Sequence, residues 1–297
     1  MSGNVQKKII LNLVFFLLVC SCFANEENLL LNRLKDTLES SKTTESYIPL
    51  YSTEFIKAQK LFELLLKGNF DQTSNHHEWD SLGYSITKLC MKSDEFLIIR
   101  PVQKTSQAQG IFIFRKDYTH SLLIQAPHRF HDLYTGDLAL NLFVENSVQV
   151  SAWNTVHRDE IDFGKAKNSM FHALTLASIH SKPKMKILQL HGFGSKSKRD
   201  GSSVKADIIL SNGTKRPTGS LSLLSNCFEA SGSLNVAVYP IHVRQLGGTT
   251  NIASRAMSNK GFDNFIHFEM SKPLRLQAKE DKKIRYHIIN CIFKFLR

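Results

Sequence analysis

The chain has 297 residues and a formal net charge of +12, and 42% of its residues are hydrophobic while 22% are charged. The length suits one large α/β domain or two small ones, and the composition is that of a globular protein. The positive charge predicts an acidic partner, an anionic surface or a polyanionic substrate. Nucleic acid is disfavoured, because the basic residues are scattered and no recognition helix or aromatic-stacking pattern is present.

The first 24 residues have the pattern of a secretory signal peptide. Lys7 and Lys8 precede an apolar run from Ile9 to Cys20, and Ala24 offers a small-residue cleavage site. The apolar run is too short for a comfortable membrane span. We therefore expect an exported protein, periplasmic or extracellular. The four residues that end at Cys22 also resemble a lipobox, so a lipid anchor at Cys22 stays open, as does an uncleaved signal anchor.

The cysteines that remain after such cleavage are Cys90, Cys227 and Cys291. Three cysteines without a short spacing exclude a disulfide framework and a cysteine-type zinc site. One disulfide is compatible with this pattern, but buried thiols are favoured. A catalytic cysteine is disfavoured.

Residues 25–80 are predicted to form a helical extension. Apolar residues recur at i, i+3 and i+4 over 28–34 and 55–66, which is the pattern of amphipathic helices. A polar loop is predicted at 71–80. The pair His76-His77 in this loop has no further ligands nearby in the sequence, which favours a surface loop over a metal site.

Residues 81–297 are predicted to form one α/β domain, because apolar strand patterns alternate with helical patterns. Such an order predicts a mostly parallel or mixed sheet that is covered on both faces. Strands are predicted at 96–99, 110–114, 122–124, 148–153, 186–190, 206–210, 234–239 and 264–268. Helices are predicted at 137–146, 169–180, 218–230 and 282–297.

Three of these strands end in side chains that can carry chemistry. The strand 122–124 is followed by His128, His131 and Asp132, the strand 186–190 by His191, and the strand 264–268 by Glu269. Ligands of open α/β sheets bind beyond the carboxyl ends of strands. We therefore expect these groups to converge on one active centre.

A mononuclear catalytic zinc ion needs about three protein ligands and an open position for water. His128, Asp132 and His191 meet this need, and His131 competes with Asp132 for the second position. The alternative is that the segment forms only a turn and a helix cap. Glu269 is predicted to act as a general base beside a metal-bound water, and its alternative is a helix-start glutamate.

Two arginines, Arg244 and Arg255, flank the Gly-rich polar segment 247–251. Guanidinium groups bind carboxylates through two parallel hydrogen bonds, so these side chains are predicted to hold a substrate carboxylate. Arg255 is favoured over Arg244, and ordinary surface arginines are the alternative. Arg158 is expected to provide a further anion contact. Three other groups could orient the metal ligands: His157, Asp162 and His172. A serine hydrolase is disfavoured, since no Gly-x-Ser-x-Gly motif is present.

Three segments resemble known hydrolase families. The segment from His128 through Asp132 to 139 resembles the first metal-binding segment of poly-γ-glutamate hydrolases, and 251–255 resembles their Asn-Ile-x-Asn-Arg motif. The segment 265–275 resembles the Gln-x-Glu-Leu-Ser/Asn-Arg-x-Leu segment that is shared with N-formylglutamate amidohydrolases. Both families belong to the zinc-carboxypeptidase-like group.

This resemblance implies a three-layer α/β/α sandwich with a mixed, mostly parallel sheet. It implies one Zn²⁺ ion held by His128, Asp132 and His191, with Glu269 as general base and Arg255 on a substrate carboxylate. Asp132 stands where those families have Glu, so the substrate does not transfer.

The function expected from the sequence is an exported zinc-dependent hydrolase. It would cleave an amide bond in an acidic peptide-like or γ-glutamyl substrate. An exported non-catalytic binding or surface-interaction protein is the alternative.

Overall fold

A computed structural model describes residues 26–44, 46–73, 76–91, 94–102, 110–194, 205–230, 232 and 234–296. The predicted signal peptide and the lipobox at Cys22 lie outside these residues. Within the described ranges, no helix combines the length and the apolar character that a membrane crossing requires.

The secondary structure follows the predicted order, with additions. The helices are α1 (26–40), α2 (Ser52–Leu66), α3 (Phe70–Thr73), α4 (His76–Asp80), α5 (Thr135–Glu145), α6 (Met170–Ser181), α7 (Gly219–Glu229), α8 (Ile252–Asn259), α9 (Lys272–Glu280) and α10 (Lys282–Leu296). The strands are β1 (Tyr84–Met91), β2 (Asp94–Pro101), β3 (Ile111–Arg115), β4 (His120–Ala126), β5 (Val148–Trp153), β6 (Lys186–Phe193), β7 (Ile208–Ser211), β8 (Val236–Val238) and β9 (Phe265–Ser271).

Five elements differ from the sequence prediction. The stretch 71–80 was predicted to be a loop, but it contains the short helices α3 and α4. The strand β1 and the helices α8 and α9 were not predicted. In β1 the residues beyond Ile86 are half-buried or exposed, so the strand lacks the continuous apolar run that marks its neighbours.

The strands form one mixed sheet in the order β1-β2-β3-β5-β4-β6-β9-β7-β8. The run β5-β4-β6-β9 is parallel, as is the pair β7-β8, while β1, β2, β3 and β5 pair antiparallel and β7 lies antiparallel to β9. The predicted α/β fold with a covered mixed sheet is confirmed. The carboxyl ends of β4, β6 and β9 lie side by side in its centre.

Helices cover both faces of the sheet and bury two apolar cores. Buried residues of α1, α5, α7, α9 and α10 form one core. Those of α2, α6 and α8 form the other, on what we call the α6 face. The predicted helical extension therefore contributes to both cores, since α1 and α2 pack against opposite faces of the same sheet.

The alternation of side chains along the central strands selects which residues can meet. In β6, Leu188 and Leu190 belong to the first core and Ile187 to the α6 face. Because side chains alternate along a strand, Gln189 and His191 also point to the α6 face. In β9, Phe265 places His267 and Glu269 on that face by the same rule. The polar groups of the two strands therefore share one side of the sheet.

A disulfide joins Cys227 of α7 to Cys291 of α10, with 5.7 Å between the two Cα atoms. The sequence favoured buried thiols, because cysteine spacing alone does not show which helices come together. This bond closes a long segment of the chain, and such cross-links restrict the unfolded ensemble. The exposed Cys90 is a free thiol.

We predict that Cys227→Ser lowers the free energy of unfolding of the oxidised protein by about 2–4 kcal/mol. Denaturant unfolding followed by circular dichroism measures this change. Cys90→Ser is the matched control and should change the free energy of unfolding by less than about 0.5 kcal/mol. Equal unfolding midpoints for the two variants would contradict the assigned disulfide.

Candidate metal centre

The turn after β4 brings His128 and Asp132 together. The strand ends at Ala126, and the backbone N–H of Asp132 donates to the carbonyl of His128 at 2.7 Å. This turn folds the two side chains into the protein, where each is 3% exposed. His131 points outward instead, and its ring packs edge-on against that of His157. The structure therefore brings Asp132, rather than His131, to the candidate site.

Three potential metal-ligand atoms, from the ends of two strands, lie close together beside this turn. His128 Nδ1 lies 3.2 Å from His191 Nδ1, and Asp132 Oδ2 lies 3.5 Å from the first nitrogen and 3.4 Å from the second. Ligand atoms bound at about 2.0–2.2 Å to a tetrahedral zinc ion lie about 3.3–3.6 Å from each other. The triangle therefore has the dimensions of three ligand positions around one ion.

The outer nitrogens of both imidazoles are hydrogen-bonded. His128 Nε2 lies 2.8 Å from Asp162 Oδ1, and His191 Nε2 lies 2.8 Å from Gln189 Oε1. Partners of this kind fix the ring orientation and the tautomer of metal-binding histidines. Asp162 was expected among the orienting groups, and this contact places it there. His157 and His172 make no such contact: His157 pairs with Asp159, and His172 packs against Phe55.

A chain of buried amides determines which nitrogen of His191 carries the proton. At one end, Thr175 donates to the carbonyl of Phe171 and accepts from Gln125 Nε2. Gln125 Oε1 is then an acceptor, and Gln189 Nε2 donates to it at 2.9 Å. Gln189 Oε1 therefore faces His191, whose Nε2 must donate. Its Nδ1 is then free of a proton, because burial lowers the pKa of His191 and keeps the ring neutral.

The other end of this chain confirms the same assignment. The side-chain oxygen of Asn251 accepts from the backbone N–H of Ala253, so its Nδ2 is the donor to Gln189 Oε1. The chain of amides thus ends at two backbone groups, the carbonyl of Phe171 and the N–H of Ala253, whose acceptor and donor roles are fixed. The lone pair of His191 Nδ1 therefore points at His128 and Asp132.

In the described part of the chain, the carboxylate of Asp132 has one unsatisfied oxygen atom. Its Oδ2 is buried and has no hydrogen-bond partner among the described residues. A single proton on His128 Nδ1 could bridge to His191 but would leave this oxygen unsatisfied. A cation satisfies all three atoms at once, so the site fits a metal ion.

Glu269 stands beside the triangle, directly across the ladder from His191. It is 6% exposed, and its Oε2 has no hydrogen-bond partner among the described residues. Burial, with the charge of Asp132 adding to it, raises the pKa of Glu269 to about 8. The sequence predicted this convergence, although Glu269 lies within β9 rather than after it.

His267 is a site residue that the sequence pattern does not indicate. Its ring stacks on His191 with centroids 4.4 Å apart, and burial holds its pKa well below the ordinary value. His191, His267 and Glu269 form a second group with ligand-like spacing. Both nitrogens of His191 are already engaged by the first triangle and by Gln189, so the first triangle is the better ion site.

A cavity of about 200 Å³ opens onto these groups. It is smaller than the usual pocket for a drug-sized ligand, about 300–1,000 Å³, so it suits a small reacting group. Arg158 and Lys165 lie on its wall, 3.5 and 3.0 Å from Asp162 Oδ2. The cavity thus has cationic side chains next to the candidate ligands.

The structure does not bring Arg244 and Arg255 to this cavity. Both are exposed, and neither is among the described residues that line it. In α8 the inward face is formed by Ala253, Ser254 and Met257, which directs Arg255 to solvent, where it donates to the carbonyl of Thr249. Arg158, the third arginine expected from the sequence, lines the cavity instead.

No family model and no curated protein sequence matches the chain. Its structure is similar to an N-formylglutamate amidohydrolase from Ralstonia eutropha (12% identity, 64% of this chain and 96% of that chain covered, TM-score 0.42). It is also similar to a gene product from Agrobacterium tumefaciens (12% identity, 60% of this chain and 90% of that chain covered, TM-score 0.45). A third similar structure is that of an aspartoacylase family protein from Mesorhizobium loti (9% identity, 66% of this chain and 69% of that chain covered, TM-score 0.36).

We predict that Gln189→Met weakens metal binding about 10- to 100-fold, because His191 then loses the acceptor that fixes its tautomer. Competition with a chromophoric chelator measures the dissociation constant. Gln149→Met is the matched control, since Gln149 is equally buried but bonds to the carbonyl of Leu66. Equal affinities of the two variants would show that the amide chain does not set the tautomer.

Proposed function

We propose that the protein is a zinc-dependent hydrolase that cleaves an amide bond in a small carboxylate-bearing substrate. The observation that carries this proposal is the triangle of His128 Nδ1, His191 Nδ1 and Asp132 Oδ2, with Glu269 beside it. Two imidazoles and one carboxylate are a ligand set of catalytic zinc sites, which keep a further position open. This supports zinc over calcium or magnesium, which prefer oxygen ligands.

His128, Asp132 and His191 would hold the ion. When bound at such a site, zinc polarises a carbonyl group and lowers the pKa of water. Glu269 accepts the proton of the attacking water as the new carbon–oxygen bond forms. It then delivers this proton to the amine nitrogen as the carbon–nitrogen bond breaks. The burial of Glu269 supports this role, because a desolvated carboxylate takes up a proton more readily than an exposed one.

The charges of the cavity support a substrate that carries a carboxylate. Arg158 and Lys165 bring two positive charges to a cavity that is also lined by Asp132, Asp162 and Glu269, and Asp162 pairs with both cations. With a divalent ion held at Asp132, the guanidinium of Arg158 would be a partner for a carboxylate of the substrate. The overall charge of +12 favours the approach of acidic molecules in the same way. Glutamyl amides and acidic peptides are the class we propose.

Export is part of this proposal. The N-terminal pattern supports it, and so does the disulfide between Cys227 and Cys291, since disulfides persist in oxidising compartments. The substrate would then be met in the periplasm or outside the cell. A lipid anchor at Cys22 remains the alternative to free export.

The test pairs two variants of the full chain. We expect Glu269→Gln to bind one equivalent of zinc like the wild type but to lose about 100- to 10,000-fold in turnover. His191→Ala should lose both zinc and turnover. Metal analysis gives the first quantity, and release of amine from N-acyl-L-glutamates and γ-glutamyl dipeptides gives the second. Equal zinc in wild type and His191→Ala would overturn the site, and zinc binding without turnover of these amides would favour a non-catalytic binding protein.

A further inference from the structure

Arg275, in the second turn of α9, is a buried arginine next to the candidate site, and it is 4% exposed. Its guanidinium makes no ion pair with any residue in the described part of the chain. It donates instead to three backbone carbonyls: Nε to Leu133 at 2.8 Å, and Nη1 to Met270 at 2.5 Å and to Phe193 at 3.3 Å. A buried guanidinium whose N–H groups donate to backbone oxygens holds the corresponding chain segments in place.

The three carbonyls belong to the three segments that carry the site. Leu133 follows Asp132, Met270 follows Glu269, and Phe193 lies two residues after His191. These segments come from different parts of the fold, and a single planar group joins them at one point. The first is a turn in which Tyr134 adopts a positive φ of 73°, a conformation that is unfavourable for a residue with a side chain. That turn therefore depends on contacts such as the bond to Leu133.

Gly192 shows how closely the guanidinium is packed. A Cβ atom at this position would lie 2.0 Å from Nη1 and 2.3 Å from Cζ of Arg275. The glycine does not have a positive φ, so its backbone alone does not exclude alanine. The space for Arg275 is the reason that a side chain is excluded directly after His191.

We propose that Arg275 is a positioning residue, which sets the affinity of the metal site by fixing Asp132, His191 and Glu269 relative to one another. This inference rests on the proposed function, because it assumes that the triangle binds zinc. It assigns no contact between Arg275 and the substrate or the ion.

The charge of Arg275 and its hydrogen bonds predict opposite changes in zinc affinity when the residue is replaced. A positive charge near the site repels a divalent cation, so removing the charge alone would strengthen zinc binding. Loss of the three hydrogen bonds would release the turn at Leu133 and the two strand ends, which weakens zinc binding. The sign of the change in affinity therefore separates the two effects.

The experiment measures the zinc dissociation constant of the full chain by competition with a chromophoric chelator. We expect Arg275→Met and Arg275→Lys each to weaken binding about 10- to 100-fold, because the ammonium of lysine cannot span three segments. Gly192→Ala should weaken it to a similar extent by displacing the guanidinium. The double variant of Gly192→Ala with Arg275→Met should show no further loss, since both act through one contact.

Arg285→Met is the matched control. Arg285 is also buried, donates to the carbonyls of Ala278 and Lys279 and pairs with Glu145, but none of these residues lines the cavity. It should cost stability and change the zinc affinity less than about 3-fold. Zinc binding by Arg275→Met as tight as in wild type, wild-type affinity in Arg275→Lys, or an equal loss in Arg285→Met would overturn the positioning role. Unchanged zinc binding in His191→Ala would instead overturn the proposed function.

Discussion

Two imidazole nitrogens lie 3.2 Å apart beside a buried carboxylate oxygen that has no hydrogen-bond partner among the described residues. At least one of these nitrogens carries a lone pair that faces the others, since the amide chain through Gln189 assigns the proton of His191 to the opposite side of the ring. Such a cluster is unfavourable in a protein interior unless a cation joins it. The surrounding structure is arranged to keep these atoms together, and the proposed chemistry depends on that arrangement.

The sheet explains how distant parts of the sequence reach this point. Parallel pairing aligns β4, β6 and β9, so that their carboxyl ends meet, and the ladder sets His191 opposite Glu269. The alternation of side chains then places Gln125, Gln189 and His267 beneath the site, on the α6 face. A strand shifted by one residue would turn these groups into the opposite core. The polar network thus fixes the register as well as the ligand tautomer, and Arg275 joins the ends of the same strands.

Much of this could be predicted from the sequence, because it follows from local patterns. Short apolar runs that end in His128, His191 and Glu269 indicate parallel strands, and parallel strands bring their ends together. The resemblance to amidohydrolase motifs supported the same residues. His267 was missed because a histidine inside an apolar strand resembles a core residue. Its spacing of two from Glu269, the same as that of Gln189 from His191, was the available signal.

Other features depend on tertiary contacts that no local pattern records. The sequence favours Arg255 over Arg244 as the carboxylate-binding arginine, but the rotation of α8 directs Arg255 to solvent. The pairing of Cys227 with Cys291 depends on the packing of α7 against α10. The role of Arg275 depends on three carbonyls, one of which lies 142 residues from Arg275 in the chain, and only the folded structure brings them to one guanidinium.

The most direct measurement is the X-ray absorption fine structure of the purified protein loaded with one equivalent of zinc. Ligation by His128, His191 and Asp132 predicts scattering from two imidazole rings and otherwise only oxygen, at about 2.0–2.2 Å. A shell with three imidazoles would place His267 on the ion and contradict the role given to the first triangle. Sulfur in the shell, or no imidazole scattering, would show that the zinc is bound elsewhere.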